Sequence, residues 1–68
     1  MGASKHIKQV MVVKDIKIGE LAEKLGMKPQ ALSNKLYRDT MSFSDVETIA
    51  SALDCRVSFI DKDSGKEF

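Results

Sequence analysis

Apolar residues at Ile18, Leu21, Ala22 and Leu25 follow the i, i+3, i+4, i+7 spacing that gathers side chains on one helical face, leaving Glu20, Glu23 and Lys24 on the other. This spacing predicts a helix. It stops at Gly26, because a residue without Cβ enters the left-handed conformation that closes a helix C-terminus, and Met27 packs back as the hydrophobic contact. Pro29 suits the first turn of a second helix, where its missing N–H has no partner to lose. That helix runs from about Lys28 to Arg38 and turns Ala31, Leu32 and Leu36 inward, while Gln30 and Asn34 share an exposed face.

Two further helices flank this pair. From Ser4 to Lys14, Ile7, Val10, Met11 and Val13 give a helix-like stripe, although the β-branched "VMVV" also fits a strand. In "TMSFSDVETIASALD", Ser42 is placed as N-cap with Asp45 three residues on and Met41 set to staple against Val46; Ser44 with Glu47 offers a rival capping box. Phe43, Val46, Ile49, Ala50 and Leu53 then form the inward stripe. After Cys55 the period changes to two in "RVSFI", and "KDSGK" supplies a turn before Phe68, which predicts a strand or a small hairpin. Cys55 itself reads as a small buried hydrophobe, His6 as a surface residue, and Met11, Met27 and Met41 as core filler.

Sixty-eight residues make one domain, 1–68, and a chain this short buries only about 60% of its unfolded surface. One cysteine and one histidine exclude an internal disulfide and a zinc site, and point to a reducing cytoplasm. No metal or cofactor is expected. A membrane is not expected either: no apolar run approaches the roughly 20 residues a span needs, "MGASKHIKQV" has no hydrophobic signal core, and His6 stands where a myristoylation motif needs Ser or Thr. Catalysis lacks a nucleophile with a base and an orienting partner, so the chain reads as a binding protein and not as an enzyme. Its charge is uneven: residues 1–40 hold eight basic against four acidic residues, net +4, and residues 41–68 hold three against six, net −3. Such a split suggests one face that meets an anion.

The stretch "IGELAEKLGMKPQALSNKLY" resembles the helix-turn-helix of the Cro/repressor-like, or xenobiotic-response-element, family of DNA-binding regulators. The resemblance rests on the small Ala22 where the helices touch, on Gly26 in the turn, on Leu21, Leu25 and Met27, and on Leu32 in the second helix. It extends less sharply over residues 4–54 and leaves the tail from Cys55 outside. It implies a mainly α, lambda-repressor-like bundle of four to five short helices, with the helix-turn-helix core at 18–38 and a C-terminal strand or hairpin at 55–68. It further implies that Lys28–Arg38 is a recognition helix in the major groove of double-stranded DNA. Lys28, Gln30, Ser33 and Asn34 are then the base-contacting residues, amides suiting adenine and Lys28 suiting guanine. Lys35, Tyr37, Arg38, Thr40 and Ser42 are the backbone contacts, since cations and hydroxyls suit phosphate oxygens; Tyr37 equally suits the core edge.

Four positions depart from the family pattern. Ile18 and Lys17 stand where relatives often carry a phosphate-gripping Gln and a Ser or Thr cap; Pro29 replaces a base-reading polar residue; Lys35 replaces an apolar one. Base reading therefore falls on Lys28, Gln30 and Asn34. A homodimer is expected, with Val57, Phe59, Ile60 and Phe68 either forming its surface or closing the monomer's own core. The alternative role is a protein-interaction module, such as an antitoxin or another regulator's partner, that uses the same fold.

Overall fold

Leu21, Ala22 and Leu32 have no exposed surface, and they lie where the two helices around Gly26 cross. The computed structural model describes residues 2–68 and contains four helices: α1 (Ala3–Lys14), α2 (Ile18–Leu25), α3 (Pro29–Arg38) and α4 (Phe43–Ala52). α2 packs on α3 and α4, and α1 packs on α4. Ile7, Leu36, Ile49 and Leu53 complete the core, with Met11, Ile18, Leu25, Met27, Met41 and Cys55 partly buried against it. At about 2 kcal/mol for each buried aliphatic side chain, these few residues supply most of the driving force.

α1, α2 and α3 each end on a left-handed C-cap residue, and at α4 the left-handed residue follows the C-cap Leu53. At Gly26 (φ 68°) the turn is a double-bonded C-cap: Met27 N–H donates to the Ala22 carbonyl at 2.9 Å and Gly26 N–H to that of Glu23 at 3.1 Å. The other three such positions are aspartates, Asp15 (φ 55°), Asp39 (φ 55°) and Asp54 (φ 59°). Asp is among the few non-glycine residues that tolerate this region, because its short polar side chain bonds locally.

The starts differ more. Ser42 and Asp45 form the reciprocal capping box of α4, the Asp45 N–H donating to Ser42 Oγ at 3.1 Å and the Ser42 N–H to Asp45 Oδ2 at 3.2 Å. The rival Ser44–Glu47 box does not form; Thr48 Oγ1 donates instead to the Ser44 carbonyl. At α2, Lys17 offers no oxygen to the first turn, so only the return bond exists, from Lys17 N–H to Glu20 Oε1 at 3.0 Å.

α1 is held by both ends to distant parts of the chain. Ser4, buried, donates from its backbone N–H to Asp39 Oδ1 at 3.1 Å and from Oγ to the Leu36 carbonyl. At the other end Lys14 Nζ donates to the Leu53 carbonyl at 2.7 Å, placing a cation on the open carbonyls at the end of α4. Gly2 fits because a Cβ there would collide with the Asp39 carboxylate.

Four expectations are corrected. Val13 is 84% exposed: six residues beyond Ile7, it lies about 240° round the helix, far from the core. Ala31 is exposed, because α3 buries only Leu32 and Leu36. Phe43, at the first position of α4, sits at the edge of the stripe and is 54% exposed, its ring stacked on Phe59 at 6.3 Å. The tail forms no strand; it is a turn closed by one antiparallel bridge, Ile60 with Glu67, in which Phe68 N–H donates to the Phe59 carbonyl at 2.9 Å and Arg56 pairs with Glu67. Val57, Phe59, Ile60 and Phe68 all remain exposed, so they do not close the core.

Candidate nucleic-acid interface

Leu32 and Leu36 turn one side of α3 to the core, which leaves the other side to solvent. On that side Gln30, Ser33, Asn34 and Tyr37 occupy i, i+3, i+4, i+7 and are all exposed, Tyr37 by 86%. The structure thus joins Tyr37 to the stripe of base-contact candidates and not to the core edge. That spacing was readable from the sequence once the buried face was known. Gln30 and Asn34 are bonded to each other, Gln30 Nε2 donating to Asn34 Oδ1 at 3.2 Å.

Lys28 is the N-cap of α3, extended and exposed, with no side-chain oxygen to accept from the helix; Pro29 follows at the first position. With no acid in the first turn and none between Lys24 and Asp39, this end of the helix keeps its positive dipole uncompensated. Arg38, the last residue of α3, and Thr40 and Ser42 beyond it are exposed.

Lys35 behaves differently. Its ammonium lies 3.2 Å from Asp45 Oδ2, and the residue is half-buried among Leu25, Met27, Thr48 and Ile49. Its aliphatic stem takes the place of the apolar residue usual there while the charged head reaches the surface and pairs. The backbone bond from Ser42, together with the Lys35 ammonium, holds the Asp45 carboxyl below the usual carboxylate range. Asp45 therefore links α3 to the start of α4. Sequence reading placed it as a cap and missed this second bond, since the two residues stand ten apart on different helices and no local spacing pairs them.

Ile18, in place of the usual amide, is half-buried against the core and offers no hydrogen bond. Among the described residues no group of His, Cys, Asp or Glu is placed to hold a metal, and no helix is long and apolar enough to cross a membrane.

A helix pair turned at Gly26, with a polar and acid-free second helix facing outward, is the arrangement of a helix-turn-helix. The profile of the Cro/C1-type HTH DNA-binding domain matches residues 6–58, and the chain belongs to that family. It is similar to the SPbeta prophage-derived uncharacterized HTH-type transcriptional regulator YopS of Bacillus subtilis (strain 168), with 50% identity over 46 residues, 65% of this chain. The match spans 62% of that relative's length. No solved structure matches the chain.

Proposed function

We propose that this chain is a non-enzymatic, sequence-specific regulator of transcription, of the repressor type, that lays α3 in the major groove of double-stranded DNA. The observation that carries the reading is the exposed, uncharged, hydrogen-bonding stripe Gln30–Ser33–Asn34–Tyr37 on the helix after the Gly26 turn. Amide and hydroxyl groups match base edges, and a carboxylate there would repel phosphate. Lys28 and the three polar residues through Asn34 contact bases; Tyr37, Arg38, Thr40 and Ser42 hold the backbone, and Lys35 joins them only to the extent that it leaves Asp45.

The 68 residues act as one domain, with the helix-turn-helix at 18–38 and the tail at 55–68 as its partner surface. One recognition helix gives a small interface, and a two-fold dimer sets two of them about 34 Å apart, one DNA turn. The exposed Val57, Phe59, Ile60 and Phe68 support such a dimer, and a groove of about 450 Å³ beside them, lined by Ile7, Val10, Val46, Ala50 and Leu53, extends the apolar surface.

Selection of bound duplexes from a random library tests this reading. An enriched palindrome, bound with an affinity that falls steeply with salt, is the expected result. Equal binding of random and selected duplexes at every salt concentration overturns it.

A further inference from the structure

We propose that Gly2 and Ser4 are positioning residues for DNA binding: they hold the Asp39 carboxylate under the start of α1, away from the duplex, and leave the loop between α3 and α4 free to meet phosphate. The inference rests on the proposed backbone contacts of Arg38, Thr40 and Ser42, and names what makes them compatible with the acid that stands among them.

Every proposed DNA contact lies between Lys28 and Ser42, and Asp39 is the only acid from Lys24 to Ser44. Its place is unfavourable for a negative charge: it is the C-cap of α3, where the helix dipole is itself negative, and it sits between Arg38 and Thr40. A carboxylate swung outward from there would face the phosphates that its two neighbours are to hold.

The fold turns it inward instead. Asp39 is half-buried, and its Oδ1 accepts the backbone N–H of Ser4 at 3.1 Å. α1 has no acid in its first turn, and its N-cap, Gly2, has no side chain to offer, so the positive end of this helix is open to a carboxylate from elsewhere. The buried Ser4 hydroxyl donates to the Leu36 carbonyl and fixes the start of α1 against the end of α3. The backbone of Gly2 is extended (φ 168°), as any residue can be, so what its missing Cβ provides is room for the carboxylate, onto which a Cβ would fall. At the far end of the loop Ser42 is fixed by its capping box with Asp45, which leaves Thr40 exposed between two anchored ends. A loop ordered in advance loses less freedom when it binds.

The test measures Kd by fluorescence anisotropy for the full chain with the enriched duplex and with a random duplex, over a range of salt. Gly2→Ala pushes the carboxylate outward and keeps its charge. It should weaken binding to both duplexes by about 2- to 5-fold at low salt, the repulsion of one exposed charge across several ångströms of water. The deficit should shrink as salt rises. Adding Asp39→Asn removes the charge and should return Kd to within about 2-fold of the parent, a rescue that a merely loosened fold would not show. Asp39→Asn alone should gain less than about 2-fold, because the charge it removes is already turned away. Thermal melting sets an assay temperature at which all four proteins are folded. Full-strength binding by Gly2→Ala, a loss that Asp39→Asn leaves in place, or a several-fold gain from Asp39→Asn alone overturns the inference while leaving α3 in the groove. A library that yields no enriched duplex overturns the placement of α3 and the inference together.

Discussion

The carboxylate of Asp39 accepts a hydrogen bond from the backbone N–H of Ser4 at 3.1 Å, across 35 positions of chain. One residue therefore ends α3 with its left-handed backbone and caps the start of α1 with its side chain. The Ser4 hydroxyl closes the loop on the Leu36 carbonyl, so α1 is fastened to the C-terminal end of α3. Asp39→Gly loses a cap worth about 1 kcal/mol and recovers part of it from the relieved left-handed backbone, so it should destabilise by about 0.5 kcal/mol; Asp39→Asn should retain most of the stability. Gly2→Ala pushes the same carboxylate aside, so its loss should not add to that of Asp39→Gly. Urea denaturation of the two single variants and the double one measures this, and full additivity would show that Gly2→Ala does not act through the Asp39 carboxylate.

Asp15 and Asp54 share the left-handed backbone of Asp39, but neither side chain caps another helix, and each places a negative charge at a helix C-terminus. Both features are unfavourable. Asp15→Gly and Asp54→Gly should therefore each raise stability by roughly 0.5 kcal/mol, the gain being limited by the greater freedom of glycine in the unfolded chain. In a domain of this size 1 kcal/mol corresponds to about 4–8 °C in Tm, so thermal melting resolves it.

Asp45 gives the fold an acid-sensitive joint. Its carboxyl is held below the usual range by the Ser42 N–H and by Lys35, so the folded state binds that proton less readily than the unfolded state does. The stabilisation is present above the unfolded pKa of about 4 and is lost as pH falls through the lower folded value. Asp45→Asn should be less stable than the parent at pH 7, and its Tm should fall less as pH is lowered below about 4. Parallel Tm–pH curves for the two proteins would rule this linkage out.

Two cations near the end of α3 should differ in their effect on DNA. Arg38 is exposed and unpaired among the described residues, whereas the Lys35 ammonium lies 3.2 Å from Asp45. Arg38→Ala should weaken binding to every duplex alike and lower the slope of log K against log salt by about 0.9. Lys35→Met should change that slope little. Titrations over a range of salt concentrations measure both, and an equal loss of slope in the two variants would place Lys35 on the phosphates.

Period and capping chemistry made most of the helices legible. Ile18, Leu21, Ala22 and Leu25 mark α2 with their spacing alone, Gly26 and Pro29 mark the turn and the restart, and Ser42 with Asp45 marks the start of α4. These are interactions within a turn or two of chain, and neighbouring residues suffice to specify them. The outward face of α3 was legible for the same reason at Gln30, Ser33 and Asn34, and the family followed from the Ala22–Gly26–Leu32 pattern.

Tertiary structure decided what depends on how the helices cross. Only the packing of α1 and α4 shows that Val13 and Phe43 are left outside, because apolar character does not say which part of a stripe meets a neighbour. The bonds Ser4–Asp39, Lys14–Leu53 and Lys35–Asp45 join residues 35, 39 and 10 positions apart, and no local pattern encodes them. The tail shows the same division: its alternation predicted extended chain, but two segments this short make a single bridge, and Phe59 stacks on a residue of α4. The sequence by itself determined the helices, the corner and the polar outward edge of α3, which are properties of nearest neighbours. Which side chains cap, pair or stay exposed was settled only when the four helices met, since burial and long-range hydrogen bonding belong to the whole fold.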